Sequence, residues 1–259
     1  MWVALSDASP NVQTGRDAVA AIDVATRRVA SRYPAGTDPE QFAVTSDGRW
    51  LYAANEDAGT ASATDLRTGQ VAATLVVGIE PEGVAVSPDD RWIYVTAETS
   101  NTVSVIDTRA HKVAAAFMVD ARPRAVAFAP DGSHAFVTAE IGGTVTVIDA
   151  RRHRVLRAVT LERGEGKPVG VVVSPDGRRL YVANGAASVV SVLDARTLAV
   201  VGRVPVGRRP WGITISPDGR RVYTANGLSN DVSVIDAATL KVVATIPVGA
   251  RPWGIAIVR

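Results

Sequence analysis

The chain has no cysteine among its 259 residues and only three histidines, His111, His134 and His153. Without thiols, disulfides, thiolate nucleophiles and cysteine-ligated zinc are excluded. The histidines fall in turns and supply no three-ligand zinc or copper set, so they read as surface residues. No Ser/His/Asp arrangement, phosphate loop or H-E-x-x-H helix accompanies them. No stretch approaches 18 apolar residues, so no transmembrane segment is expected, and no charged region followed by an apolar run marks a signal peptide. An excess of either charge is missing as well. Lys plus Arg number 28 against 26 for Asp plus Glu, a formal charge of +2. That balance argues against nucleic acid as a partner.

What the chain does have is a repeat. Aspartates after Val-Ile or similar pairs stand at Asp23, Asp65, Asp107, Asp149, Asp194 and Asp236, separated by 42, 42, 42, 45 and 42 residues. Prolines opening each unit stand at Pro39, Pro81, Pro123, Pro168, Pro210 and Pro252 and keep the same period. Each period holds four short runs, A to D. Turns such as Ser216-Pro217-Asp218-Gly219 separate A from B, and Asp-x-x-Thr turns separate C from D. Strand C alternates with period 2, as in Thr102-Val103-Ser104-Val105-Ile106, and no run keeps a helical period. Four strands in about 42 residues is the unit of an all-β propeller.

The phase of the ends sets the blade count. The chain opens in a B strand, with Trp2 at the place of Tyr52, and closes in an A strand, Trp253 to Val258. Five complete units and two fragments therefore predict a single six-bladed domain whose N- and C-terminal strands close one blade, removing open sheet edges. The closing blade takes residues 1–38 and 252–259. The complete blades, numbered one to five below, lie near 39–80, 81–122, 123–167, 168–209 and 210–251.

The units resemble the YVTN-type β-propeller repeat, through Arg209-Pro210-Trp211-Gly212-Ile213, Val222-Tyr223-Thr224-Ala225-Asn226 and Val234-Ile235-Asp236. Segments such as Asp38-Pro39-Glu40-Gln41-Phe42 and Asn226-Gly227-Leu228-Ser229-Asn230-Asp231 are similar, more narrowly, to propellers associated with PQQ-dependent alcohol catabolism. That resemblance implies a periplasmic or extracellular protein, with a quinone-dependent dehydrogenase or a cytochrome as partner. A seven-bladed family form is the alternative to six blades.

The B–C connections and D-to-A crossings share one face of a propeller, and the two length departures fall there: residues 6–18 and residues 161–167. Loops of variable length on a rigid scaffold often carry function. This face is expected to bind through Trp211, Trp253, Arg209, Arg251, Arg122, Arg124, Lys167, Glu40, Glu56, Glu82, Glu98 and Glu140, with Asp38, Glu80 and Asp57 among its acids. Rigid aromatic anchors beside arginines are the residue types in which binding energy concentrates. A packing account stands beside it: Glu98 and Glu140 bridging to Arg122 and Arg124, and both tryptophans covering glycines.

No catalytic residue is expected on the leading reading, a non-catalytic scaffold that binds a protein or a small polar ligand as a monomer without cofactor. The enzyme alternative is a metal-dependent, lactonase-like hydrolase holding calcium or a similar cation on Glu56, Glu98 and Glu140, which recur at one repeat position. An architectural cell-surface module is the third possibility.

Overall fold

The computed structural model describes residues 1–6, 17–161 and 166–258. The fold is an all-β propeller of six blades, each sheet built from consecutive strands, with the described strand pairings antiparallel. Five sheets have four strands; the first has three, Trp2–Leu5, Ala18–Asp23 and Arg28–Pro34. The packing divides into two compact units, Met1–Pro123 and Arg124–Arg259. The first unit holds the three-stranded sheet and blades one and two, and the second holds blades three to five. Most of the 6–18 connection, and residues 162–165 of the long crossing, lie outside the described residues.

Burial follows strand order within a blade. Strands B and C carry the core, as in Trp50–Asn55 and Thr60–Asp65, while D strands such as Gln70–Val76 form the outer edge. The repeated aromatic of strand B is buried at Tyr52, Tyr94, Phe136 and Tyr181. Each described C–D pair has a bulge at one repeat position, for example between Val105 and Ile106, which adds local twist. The turn aspartates tie down backbone donors as the sequence implies: Asp194 accepts from Thr197 N at 2.7 Å and Asp236 from Thr239 N at 2.8 Å. Those bonds hold both carboxyls below the usual carboxylate range.

Strand A carries a second repeated irregularity. Pairing with strand B skips from Pro39/Asn55 to Phe42/Ala53, and likewise after Pro81, Pro168 and Pro210. Proline has no N–H to continue the ladder. The displaced Gly83 N–H finds Thr96 Oγ1 at 2.8 Å, and Ala125 N–H finds Thr138 Oγ1 at 3.1 Å. Small residues in this bulge let successive A strands approach. A Cβ on Gly170 would lie 2.4 Å from the Trp211 carbonyl oxygen, and one on Gly212 would lie 2.4 Å from that of Trp253. Gly212 N–H donates to the same Trp253 oxygen at 3.0 Å. The segment 252–258 thus takes the strand-A place beside blade five, though without regular strand pairing. Because the obstacle at Gly170 is backbone, Gly170→Ala is expected to cost about 2–3 kcal/mol in denaturant unfolding. An unchanged midpoint would show that the strands can part.

Candidate functional site

The residue before each crossing proline is left-handed: φ is +52° at Asp38, +55° at Glu80, +60° at Arg122, +48° at Lys167, +57° at Arg209 and +51° at Arg251. Such a conformation costs about 1 kcal/mol or more for a side-chain-bearing residue. It persists because the carbonyl it presents is used. Glu56 N–H donates to Asp38 O at 2.9 Å, Glu98 to Glu80 at 2.8 Å, Gly185 to Lys167 at 3.0 Å and Gly227 to Arg209 at 3.0 Å. The pre-proline residue is thereby fixed beside the residue that follows strand B.

In blade one this device gathers three acids. Asp38 comes from the left-handed corner, Glu40 from the strand-A bulge and Glu56 from the end of strand B. One carboxylate oxygen from each lies within 4.8 Å of the others, all three residues being half-buried. Ser6 Oγ donates to Asp38 Oδ1. The carboxyl of Glu40 is pushed up to about 8, first by burial, then by the charges of Glu82, Glu56 and Asp38 and by a hydrogen bond shared with Glu56.

The donor set fits a hard divalent cation. Calcium takes oxygens at about 2.3–2.6 Å, so ligands across the ion from each other are separated by up to roughly 5 Å. Burial first, and then the neighbouring negative charge that such an ion would neutralise, raise the Glu40 carboxyl. Without added cation, Glu40 binds a proton in the folded protein between its ordinary value and about 8 that the unfolded chain has released. Its contribution to stability is therefore present below the ordinary glutamate range and is lost as pH rises through about 8. Melting temperature in chelator is expected to fall over that window and to fall less in Glu40→Gln. Identical pH profiles would remove Glu40 as the cause.

The other acids at these repeat positions are engaged differently. Arg122 Nε meets Glu98 Oε2 at 2.8 Å, Thr99 donates to Glu80, and Glu82 is buried. In the second unit, Glu140 faces Arg209 Nη2 at 3.0 Å and Arg124 Nε at 4.0 Å. The bridges Glu98–Arg122 and Glu140–Arg124 are those of the packing account. Glu56 thus joins Asp38 and Glu40 rather than Glu98 and Glu140. Three acids at the crossing, bulge and B-end positions of one blade do not single out this trio, because blade two has Glu80, Glu82 and Glu98 at the same places; there Arg122 engages Glu98.

The tryptophans meet in the second unit. Trp211 and Trp253 have ring centroids 4.2 Å apart, with Arg209 5.6 Å from the Trp211 ring and Arg124 5.5 Å from the Trp253 ring. A Cβ on Gly227 would be 2.4 Å from Trp211 Cζ3, and one on Gly185 would be 3.5 Å from Arg209 Cδ. Where blades one to three carry Glu56, Glu98 and Glu140, these glycines make room for the indole and the arginine stem. Trp211 is accordingly packed, while Trp253 remains 41% exposed. Lys167 and Arg251 occupy the corresponding corners.

The histidines are less uniform than turn positions suggest. His111 Nδ1 lies 2.7 Å from Tyr52 OH with its ring 4.2 Å from that of Trp50, and burial lowers its pKa.

Comparison with known proteins places the chain in a family. Residues 110–243, over half of the chain, match the family described as lactonase, seven-bladed β-propeller. The chain belongs to that family, with six blades here. Residues 11–139 match the cytochrome D1 heme domain. No curated protein sequence matches. Among solved structures, Kuenenia stuttgartiensis hydrazine synthase is 23% identical with a TM-score of 0.81, covering 92% of this chain and 82% of its own. A putative 6-phosphogluconolactonase from Bacteroides uniformis is 23% identical with a TM-score of 0.79, covering 91% and 79%. Another from Bacteroides fragilis is 20% identical with a TM-score of 0.78, covering 93% and 80%. At these identities the likeness is one of fold.

Two expectations are corrected. The family is the lactonase propeller, not the YVTN or PQQ-associated one, because the lactonase match takes in over half of the chain, including the unit from Arg209 to Asp236 that carried the YVTN resemblance. The non-catalytic scaffold gives way to an enzyme reading, on the family match together with the acidic cluster of blade one. The three acids that meet come from three different positions of one blade, not from the single repeat position of Glu56, Glu98 and Glu140. Among the described residues no helix is long and apolar enough to cross a membrane.

Proposed function

We propose that this protein is a divalent-cation-assisted hydrolase of small lactones, with Asp38, Glu40 and Glu56 holding the cation. The observation that carries the reading is the convergence of three carboxylate oxygens within 4.8 Å in a chain of the lactonase family. A bound cation would polarise the lactone carbonyl towards attack by water. Addition of water and breakage of the ring C–O bond then give the hydroxy acid. The chain's own part is to fix the carboxylates. The left-handed corner and its carbonyl bond orient Asp38, the bulge turns Glu40 inward, and Ser6 Oγ steadies Asp38. Glu40 holds a proton at neutral pH that cation binding must release, so affinity should rise with pH up to about 8.

In the second unit, the half-exposed Trp253 beside Arg124 and Arg209 offers an aromatic face with a cationic edge. This face suits the stacking of a ring-shaped ligand, the two arginines being engaged by Glu140. The cytochrome D1 match supports a redox protein as a partner, and freedom from cysteine suits an exported protein. Hydrolysis of small sugar lactones by protein stripped with chelator and resupplied with calcium, magnesium or manganese tests the activity. Restoration by cation supports it; equal and negligible rates with every cation would end it.

A further inference from the structure

Between blades three and four the second unit contains a cavity of about 520 Å³, lined by no residue of the acidic cluster or of the tryptophan pair. Its size falls in the range of small-molecule pockets. The repeat shows why it exists. The first residue of strand B is Trp50 in blade one, Trp92 in blade two, His134 in blade three, Arg179 in blade four and Arg221 in blade five. Between blades one and two, the indole of Trp50 fills the gap by packing against His111 of the next blade's C–D turn, centroids 4.2 Å apart. Between blades four and five, Arg179 crosses to the Ala237 carbonyl at 2.7 Å.

His134 does neither. Its Nδ1 turns back to Ser133 Oγ at 2.7 Å, and the residue opposite, where blade two has His111, is Leu198. Leu198 is buried in the core with Phe136 and so leaves the gap unfilled. Phe136 and Val147 floor the space, Leu156 and Arg157 wall it, and Arg157 Nη2 ties to the Arg196 carbonyl at 2.7 Å across its outer end. Ser133 Oγ donates to Asp131 Oδ1 at 2.7 Å, which holds the hydroxyl that orients the imidazole.

We propose that this cavity is a binding site for a planar heteroaromatic small molecule of indole size, seated where the sister blade seats its own indole. The ligand would stack on or beside the His134 imidazole and rest on Phe136 and Val147. The side chains of Arg157, Asp131 and Asp176 rim the site with both signs of charge, so a neutral ring with a hydrogen-bonding edge suits it better than a strong anion or cation.

The test uses indole as probe, titrated calorimetrically against the full chain in chelator. Wild type should bind saturably. His134→Trp restores the residue of blades one and two; it should weaken indole binding at least tenfold and raise the melting temperature. Ala195→Trp, entering from the opposite wall, should block binding likewise and serves where the first variant folds poorly. No saturable binding up to the solubility of indole, or unchanged affinity in both folded variants, would overturn the proposal. Lactone hydrolysis with cation should be unaffected by either substitution, so failure of this site and failure of the hydrolase reading are separately visible.

Discussion

Glu56→Gln is expected to lower cation-dependent lactone hydrolysis at least about 100-fold, because removing one of three anionic ligands weakens the Lewis acid that polarises the carbonyl. The fold should survive. Glu56 follows strand B, and its backbone N–H, which glutamine keeps, makes the bond to Asp38 O. Losing a carboxylate from a crowded acidic group should even raise the melting temperature of the cation-free protein, since the Glu56 charge is one of those that displace the Glu40 carboxyl. The paired signature is therefore lost activity, a lost cation-induced thermal shift and undiminished cation-free stability. Glu98→Gln is the matched control, its carboxylate being occupied by Arg122 at 2.8 Å. It should keep the cation dependence. Equal activity of Glu56→Gln and wild type at saturating cation would remove the trio from the reaction.

Glu140→Gln should cause the larger loss of stability, about 3 kcal/mol, measured by denaturant unfolding. Glu140 is buried and faces two cations, Arg209 at 3.0 Å and the equally buried Arg124 at 4.0 Å. Arg209, more exposed, can turn to solvent, whereas Arg124 has little freedom to leave. A buried charge stripped of its counter-charge costs far more than the pair contributes over an apolar replacement. The double variant Glu140→Met, Arg124→Met should consequently recover most of the loss. A double variant no more stable than Glu140→Gln would place the cost in packing instead of charge.

The architecture was legible because its determinants are local and repeated. The 42-residue period, the Pro-Asp-Gly turns and the Asp-x-x-Thr turns each act within a few residues, and the structure uses each as read. Glycine recurs after the strand-A proline in several blades, and Gly170 and Gly212 meet backbone there. The site was only half visible. Aligning repeats puts Glu56, Glu98 and Glu140 in one column, but a column lists equivalent places in different blades. What gathers side chains is the bulge and the left-handed corner within a single blade, and neither leaves a composition signal. The corner residue is aspartate, glutamate, arginine or lysine in turn, and of these only aspartate favours positive φ. The tryptophans show the same limit. Their equivalent positions suggested a joint exposed surface, while Gly227 lets Trp211 pack and leaves Trp253 as the exposed partner.

The central claim is a location, and anomalous scattering from crystals soaked in manganese measures a location directly. The account predicts a peak bonded to carboxylate oxygens of Asp38, Glu40 and Glu56, absent from crystals of Glu56→Gln. A strong peak elsewhere in the molecule, or none at these three residues with the ion in excess at pH 8, would contradict it.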